Sequence, residues 1–186
     1  MGVVLRGERV TLRPLRADEF DRVRAAQDDP AYGGGAPDAA SDARLRARLE
    51  RSGRLVEGWL DLGIEVDGRL VGDVGARCPY GGFPPGVFEL GISLFSDADR
   101  GRGVGREAVA LLTGYLFDEL GAGRVQATTA VDNRPMRAVL SRLGFAEEGT
   151  LRGFMPRDGS RVDYVICAVT RDDWMPGRVG ASRVAP

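Results

Sequence analysis

The segment Phe88–Ala108 confines this chain more tightly than any other. Phe88, Leu90, Ile92 and Leu94 alternate with Glu89, Gly91 and Ser93, which is the period of a strand with two unlike faces. Asp97–Ala108 then reads D-A-D-R-G-R-G-V-G-R-E-A. After it, Val104, Ala108, Leu111, Leu112, Tyr115 and Leu116 recur at helical spacing, predicting a helix over Gly103–Leu120. A strand, an Arg/Gly-rich loop and a helix start make an anion-binding turn, because the first helical amides lack intrahelical partners and the dipole favours negative charge there. Gly101, Gly103 and Gly105 let backbone approach a ligand closely. Arg100, Arg102 and Arg106 add positive charge.

Composition removes several function classes. The chain has no histidine, so a Ser-His-Asp triad, a histidine base and a histidine-ligated metal are excluded, and no metal site is expected. All 26 basic residues are arginine and the net charge is −1, which gives no global field for nucleic acid or a membrane surface. Cys78 and Cys167 are far apart in sequence and read as core thiols of a reducing compartment. No apolar run is long enough to cross a membrane, and Met1–Leu12 lacks the apolar core of a signal peptide. The expectation is a cytoplasmic protein with one domain over 1–175 and a flexible tail over 176–186.

Other stretches order the elements around that segment. Arg9–Leu15 reads as a first strand, followed by a helix over Ala17–Asp28 with acidic residues in its first turn. Asp38 or Ser41 caps a second helix ending at Arg51. Trp59–Val66 and Leu70–Arg77 form a hairpin across Asp67-Gly68, with Trp59, Asp61 and Glu65 on the face opposite Leu60, Leu62 and Ile64. The loop Cys78–Gly86 is a long hairpin connection or, through Tyr80 and Phe83, a candidate for substrate or subunit contact. Gly114 weakens the long helix and suggests close packing against the sheet. Arg124–Val131 is a strand, Asp132 or Asn133 caps the next helix, and Pro135 suits its first turn. Glu147–Arg152 and Arg161–Val169 are the last strands, with Met155–Ser160 read as the loop between them.

This order, with R-x-x-G-x-G at Arg100–Gly105, resembles the GCN5-related N-acetyltransferase superfamily over roughly Arg9–Trp174. V-D-N-R-P-M at Val131–Met136 and L-G-F at Leu143–Phe145 resemble the superfamily's strand end and helix-to-strand junction. The opening G-E-R-V-T-L-R-P-L and the closing D-G-S-R-V-D-Y-V-I-C-A-V with R-D-D-W resemble its ribosomal-protein N-terminal-alanine acetyltransferase subgroup.

The resemblance implies an α/β (α+β) fold, with a mixed, mostly antiparallel seven-stranded sheet flanked by about four helices. It implies acetyl-CoA as donor and a primary amine, on a small molecule or a protein N-terminus, as acceptor. The pyrophosphate would lie over Gly101, Arg102, Gly103, Val104, Gly105 and Arg106, with Arg100 as the motif arginine. The pantetheine would pair with backbone at Ile92, Ser93 and Leu94, and Asn133 would sit beside it or serve only as a cap. Glu89 is the candidate base, acting through water; it could equally orient the ammonium or pair with an arginine. Asp163 is a candidate to orient substrate or to support a turn of the last strand.

One position departs from the subgroup. Met136 stands where a serine often protonates the departing thiolate, and a thioether has no proton to give. That departure keeps a second reading open, a catalytically weak acyl-CoA-binding regulatory or structural protein. The hairpin loop and final strands could build a homodimer interface.

Overall fold

The computed structural model describes residues 2–27, 38–82 and 84–174. Phe83 and the tail over 176–186 lie outside them. The sheet has eight strands, β1 (Leu5–Arg6), β2 (Val10–Arg13), β3 (Trp59–Val66), β4 (Arg69–Arg77), β5 (Val87–Leu94), β6 (Arg124–Ala130), β7 (Ala146–Arg157) and β8 (Ser160–Thr170). Their order is β1-β2-β3-β4-β5-β6-β8-β7. The count is eight, not seven, because the two residues of β1 pair with Leu12 and Thr11 before the first alternating stretch begins. The helices are α1 (Phe20–Gln27), α2 (Ala39–Arg51), α3 (Val104–Asp118) and α4 (Arg134–Arg142). Among the described residues no helix is long and apolar enough to cross a membrane.

Alternation along the strands decides which helices cover which face. Leu60, Leu62, Ile64, Val74, Leu90 and Val125 join α3 and α4 in one buried cluster. Leu15, Val23, Leu45, Leu49 and Leu70 form a second cluster under α1 and α2. Asp38 caps α2 by accepting from the Ser41 amide at 2.6 Å, while the Ser41 hydroxyl accepts from the Asp38 amide at 3.1 Å. These two bonds satisfy orphan amides at both ends of the first turn.

Three sequence expectations are corrected. The first helical segment opens with a 3-10 turn at Ala17–Glu19, so α1 itself starts only at Phe20. Met155–Arg157 belongs to β7, and the turn is only Asp158-Gly159, both at positive φ. Pro156 is tolerated there because β7 is the sheet's edge strand. Gly114 packs against nothing, since a methyl group added there would meet no atom within 4 Å.

Candidate active site

Among the described residues, one strand pair in the sheet is parallel. β5 and β6 pair only over Val87–Glu89 with Arg124–Gln126. Beyond that point β5 runs on to Leu94 and β6 to Ala130 without meeting each other. β5 keeps its other partner, β4, as far as Leu94. The result is a wedge-shaped gap opening toward the carboxyl ends of two parallel strands, where α/β sheets take ligands. Ile92, Ser93 and Leu94 line its β5 side and are only half-buried.

The Gly/Arg loop closes the open end of this gap. Ser96 caps a 3-10 turn at Asp97–Asp99, and Gly103 then starts α3 with φ of 86°. Only glycine adopts that conformation without strain. A side chain there would also collide with Arg9, whose Nη2 lies 2.7 Å from the position of an added Cβ. Gly105 faces the sheet, with Ile92 and Leu94 methyls just under 4 Å from its own added Cβ. Glu107 fixes the helix start, its buried Oε1 accepting from the Arg9 and Val10 amides at 3.0 and 3.1 Å.

The loop's charges divide into two kinds. Arg69 holds Asp99 at 2.7 Å and keeps its carboxyl below the usual aspartate range. Arg100 is turned onto the loop itself, pairing with Asp97 at 2.5 Å and donating to the Leu94 carbonyl at 3.4 Å. Arg102 and Arg106 are exposed and form no salt bridge among the described residues. Asn133 stands on the far wall of the gap. Its Oδ1 caps α4 by accepting from the Met136 amide, and its Nδ2 donates to Thr129 of β6 at 3.0 Å.

A second constellation lies on the face that α2 partly covers. Trp59, Arg77, Glu89 and Gln126 are direct neighbours on four successive strands. Arg77 donates to Glu89 at 2.7 Å, and Gln126 donates to its other oxygen at 3.2 Å. Glu89 is thus fixed at the point where β5 and β6 part. One step along the strands, Asp61, Gly75 and Gly91 are the corresponding neighbours. Gly91 is exposed, and a Cβ added to it would meet nothing within 4 Å, so the floor of this trough carries no side chains.

Arginines from α2 reach down to the trough's β3 and β4 side. Arg48 bridges Asp61 and Asp73, each at 2.8 Å. Burial, only partly offset by Arg48, pushes the Asp73 carboxyl up. Arg51 approaches Asp61 at 3.5 Å and lies 5.9 Å from the Trp59 ring centroid, with Arg77 at 5.7 Å from the same ring.

The remaining candidates separate from one another. Tyr80 is exposed on the β4–β5 connection, at the same end of the sheet as Glu89. Asp163 lies on β8 and accepts from the Gly153 amide at 2.7 Å, which supports the irregular stretch of β7 between Leu151 and Met155. Met136 is half-buried and packs against the main core. Sequence reasoning missed Arg48, Arg51, Asp73, Arg77 and Gln126. The hairpin at Asp67-Gly68 sets Trp59 opposite Arg77 and was the available signal, although a register shift between Ile64 and Glu65 interrupts the count.

A family model described as Acetyltransferase (GNAT) domain matches residues 9–146. The chain belongs to this acetyltransferase family. It is 33% identical over 79 residues to the [Ribosomal protein uS5]-alanine N-acetyltransferase of Escherichia coli (strain K12), covering 42% of this chain and 41% of that protein. This chain therefore spans less than half the length of that relative. An SPbeta prophage-derived N-acetyltransferase, YokL of Bacillus subtilis (strain 168), is 24% identical over 178 residues, covering 90% of this chain and 93% of that one. Among solved structures, Mycobacterium smegmatis RimJ in complex with CoA-disulfide is 27% identical with a TM-score of 0.72, over 92% of this chain and 87% of that chain. The GNAT family places this chain among acetyltransferase enzymes.

Proposed function

We propose that this chain transfers the acetyl group of acetyl-CoA directly to a primary amine, on a protein N-terminus or a small molecule. The observation that carries this reading is the parting of β5 and β6 beneath the glycine loop at the start of α3. The residues present fit coenzyme A. The loop from Gly101 to Arg106 presents uncrowded backbone at Gly101 and Gly105, Arg102 and Arg106 supply charge, and β6 leaves the β5 backbone at Ile92 and Ser93 unpaired on the gap side. Acetyl-CoA, when bound, supplies an acyl group already activated as a thioester.

The chain's own groups do the rest. A main-chain amide of β5 bordering the gap stabilises the oxygen on which charge develops. Glu89 accepts, through water, the proton that the attacking ammonium must lose, while Arg77 and Gln126 hold its carboxylate in place. No acyl-enzyme forms. Cys167 is buried, and burial pushes its thiol up, while Cys78 lies packed against Gly58. Met136 offers no proton to the departing thiolate, which takes one from solvent.

The same methionine favours the second reading, an acyl-CoA-binding protein with little turnover. Thiol release from acetyl-CoA across a panel of primary amines separates the two. Release that depends on both amine and protein is the expected result. Tight acetyl-CoA binding without release above background would instead favour the binding protein.

A further inference from the structure

The buried amide beside Glu89 has one orientation open to it, and a residue that does not touch Glu89 helps to set it. We infer that Arg124 is a positioning residue for acetyl transfer: braced by Glu148, it fixes the Gln126 side-chain amide so that its NH2 group donates to Glu89 and steadies that carboxylate in its ionised form. This inference rests on the reading of Glu89 as base and adds the residues that stand behind it.

The chain of bonds crosses the sheet from edge to fork. Glu148 accepts from Nη1 and Nη2 of Arg124 at 2.8 and 2.5 Å. The third nitrogen, Nε, donates to Gln126 Oε1 at 3.1 Å. Gln126 Nε2 donates to Glu89 Oε2 at 3.2 Å, and Arg77 occupies the other carboxylate oxygen at 2.7 Å. An amide fits between two such neighbours in one way. A guanidinium has donors and no acceptor, while an ionised carboxylate has acceptors and no donor. Turned over, Gln126 would set its NH2 against Arg124 and its carbonyl oxygen against Glu89. Gln126 is 3% exposed, so solvent does not replace the bonds lost.

The brace comes from an irregularity in β7. Its ladder with β8 pairs Glu147 with Cys167 and Gly149 with Ile166, which leaves Glu148 as an extra residue. A bulge of this kind re-aims a side chain. Here Glu148 reaches across the intervening β8 to Arg124 on β6. The pairing keeps the Glu148 carboxyl below the usual glutamate range, so the brace stays ionised in weak acid. The other charged or ionisable groups around Glu89 are Arg77 on β4, Asp61 on β3 with Arg51 of α2 beside it, and Tyr80 on the β4–β5 connection, which lies within electrostatic reach of Arg124. Among the described residues only Arg77 and Gln126 bond to the Glu89 side chain.

The test follows thiol release from saturating acetyl-CoA, with an alanine-initiated peptide as the probe amine, from acidic to alkaline pH. A donor lost from a carboxylate disfavours its ionised form, so the acidic limb of kcat moves to higher pH. Gln126→Leu should move it by about one pH unit and Arg124→Met by about half as much, with the KM for acetyl-CoA within about twofold of wild type. The double variant should move it no further than Gln126→Leu alone, because Arg124 acts through the amide. Arg124→Lys keeps the charge but cannot hold Glu148 and Gln126 together, and should behave as Arg124→Met does. In the protein without ligand, heteronuclear NMR should show the Gln126 side-chain NH2 protons exchanging with solvent about tenfold faster in both Arg124 variants. Thermal melting checks the fold of each. Additive shifts in the double variant, a wild-type limb in either Arg124 variant, unchanged amide exchange, or an equal loss of kcat at every pH each overturn the inference and leave acetyl transfer standing. An acidic limb that persists in Glu89→Gln overturns the reading of Glu89 as base and this inference with it.

Discussion

The proposed donor and acceptor sides of this site are built in different ways. The loop under α3 is made chiefly of backbone. Its shape follows from Gly103 at positive φ and the helix start, which Glu107 ties to β2 and Arg69 steadies through Asp99. The trough is assembled from α2 and four strands, and its side chains are held by ion pairs between residues 10 to 25 positions apart and by the hydrogen bond from Gln126 to Glu89, 37 positions apart. A site made of backbone can serve any protein that binds the same anion. A site made of paired side chains can be changed one residue at a time.

Substitutions that touch one side only should separate the two kinetically. Glu89→Gln is expected to lower kcat by about 10²- to 10⁴-fold, the range of a lost general base, with acetyl-CoA affinity unchanged. Steady-state kinetics with calorimetric titration of acetyl-CoA checks both halves of that statement. Gly103→Val places a branched side chain at positive φ and against Arg9. It should weaken acetyl-CoA binding about tenfold or more, equivalent to at least ~1.4 kcal/mol, while acceptor KM stays within twofold. Should Glu89→Gln weaken the donor as much as Gly103→Val does, the two sides are not separate.

The two regions also differ in the sign of their acid response. Asp99, beside Arg69, has a folded-state pKa below its unfolded value, so its stabilisation is full above about pH 4 and is lost as pH falls through the folded value. Asp73 is pushed up by burial, so the wild type gains stability from this group as pH falls from its raised folded value toward about 4. Melting temperatures of Asp99→Asn and Asp73→Asn, each measured against wild type from neutral to acidic pH, should therefore diverge. The deficit of the first should shrink toward low pH, and that of the second should grow.

The smallest effect lies outside both regions. Gly114 sits inside α3 with open space at its missing Cβ, so Gly114→Ala should stabilise the protein by about 1 kcal/mol without altering kinetics. Chemical denaturation measures it.

The same contrast explains what the amino-acid order disclosed. Strand β5, the glycine turn and α3 were readable because their signals are contiguous and periodic. The pairing of Trp59 with Arg77 and of Arg77 with Glu89 depends on strand register, and the shift between Ile64 and Glu65 breaks a simple count along the hairpin. Nothing in α2 alone reveals that Asp61 and Asp73 lie beneath Arg48. Gly114 misled in the other direction. A glycine inside a helix suggests a close neighbour, and here none exists.

A crystal structure with coenzyme A bound is the most direct test of the donor site from which the rest follows. The expected result is a pyrophosphate over the Arg102–Arg106 amides, with the pantetheine arm between Ile92–Leu94 and the unpaired end of β6, its thiol beside Glu89. Coenzyme A seated elsewhere, for instance against Arg134 and Arg137 on the outer side of α4, with the gap between β5 and β6 closed, would contradict it.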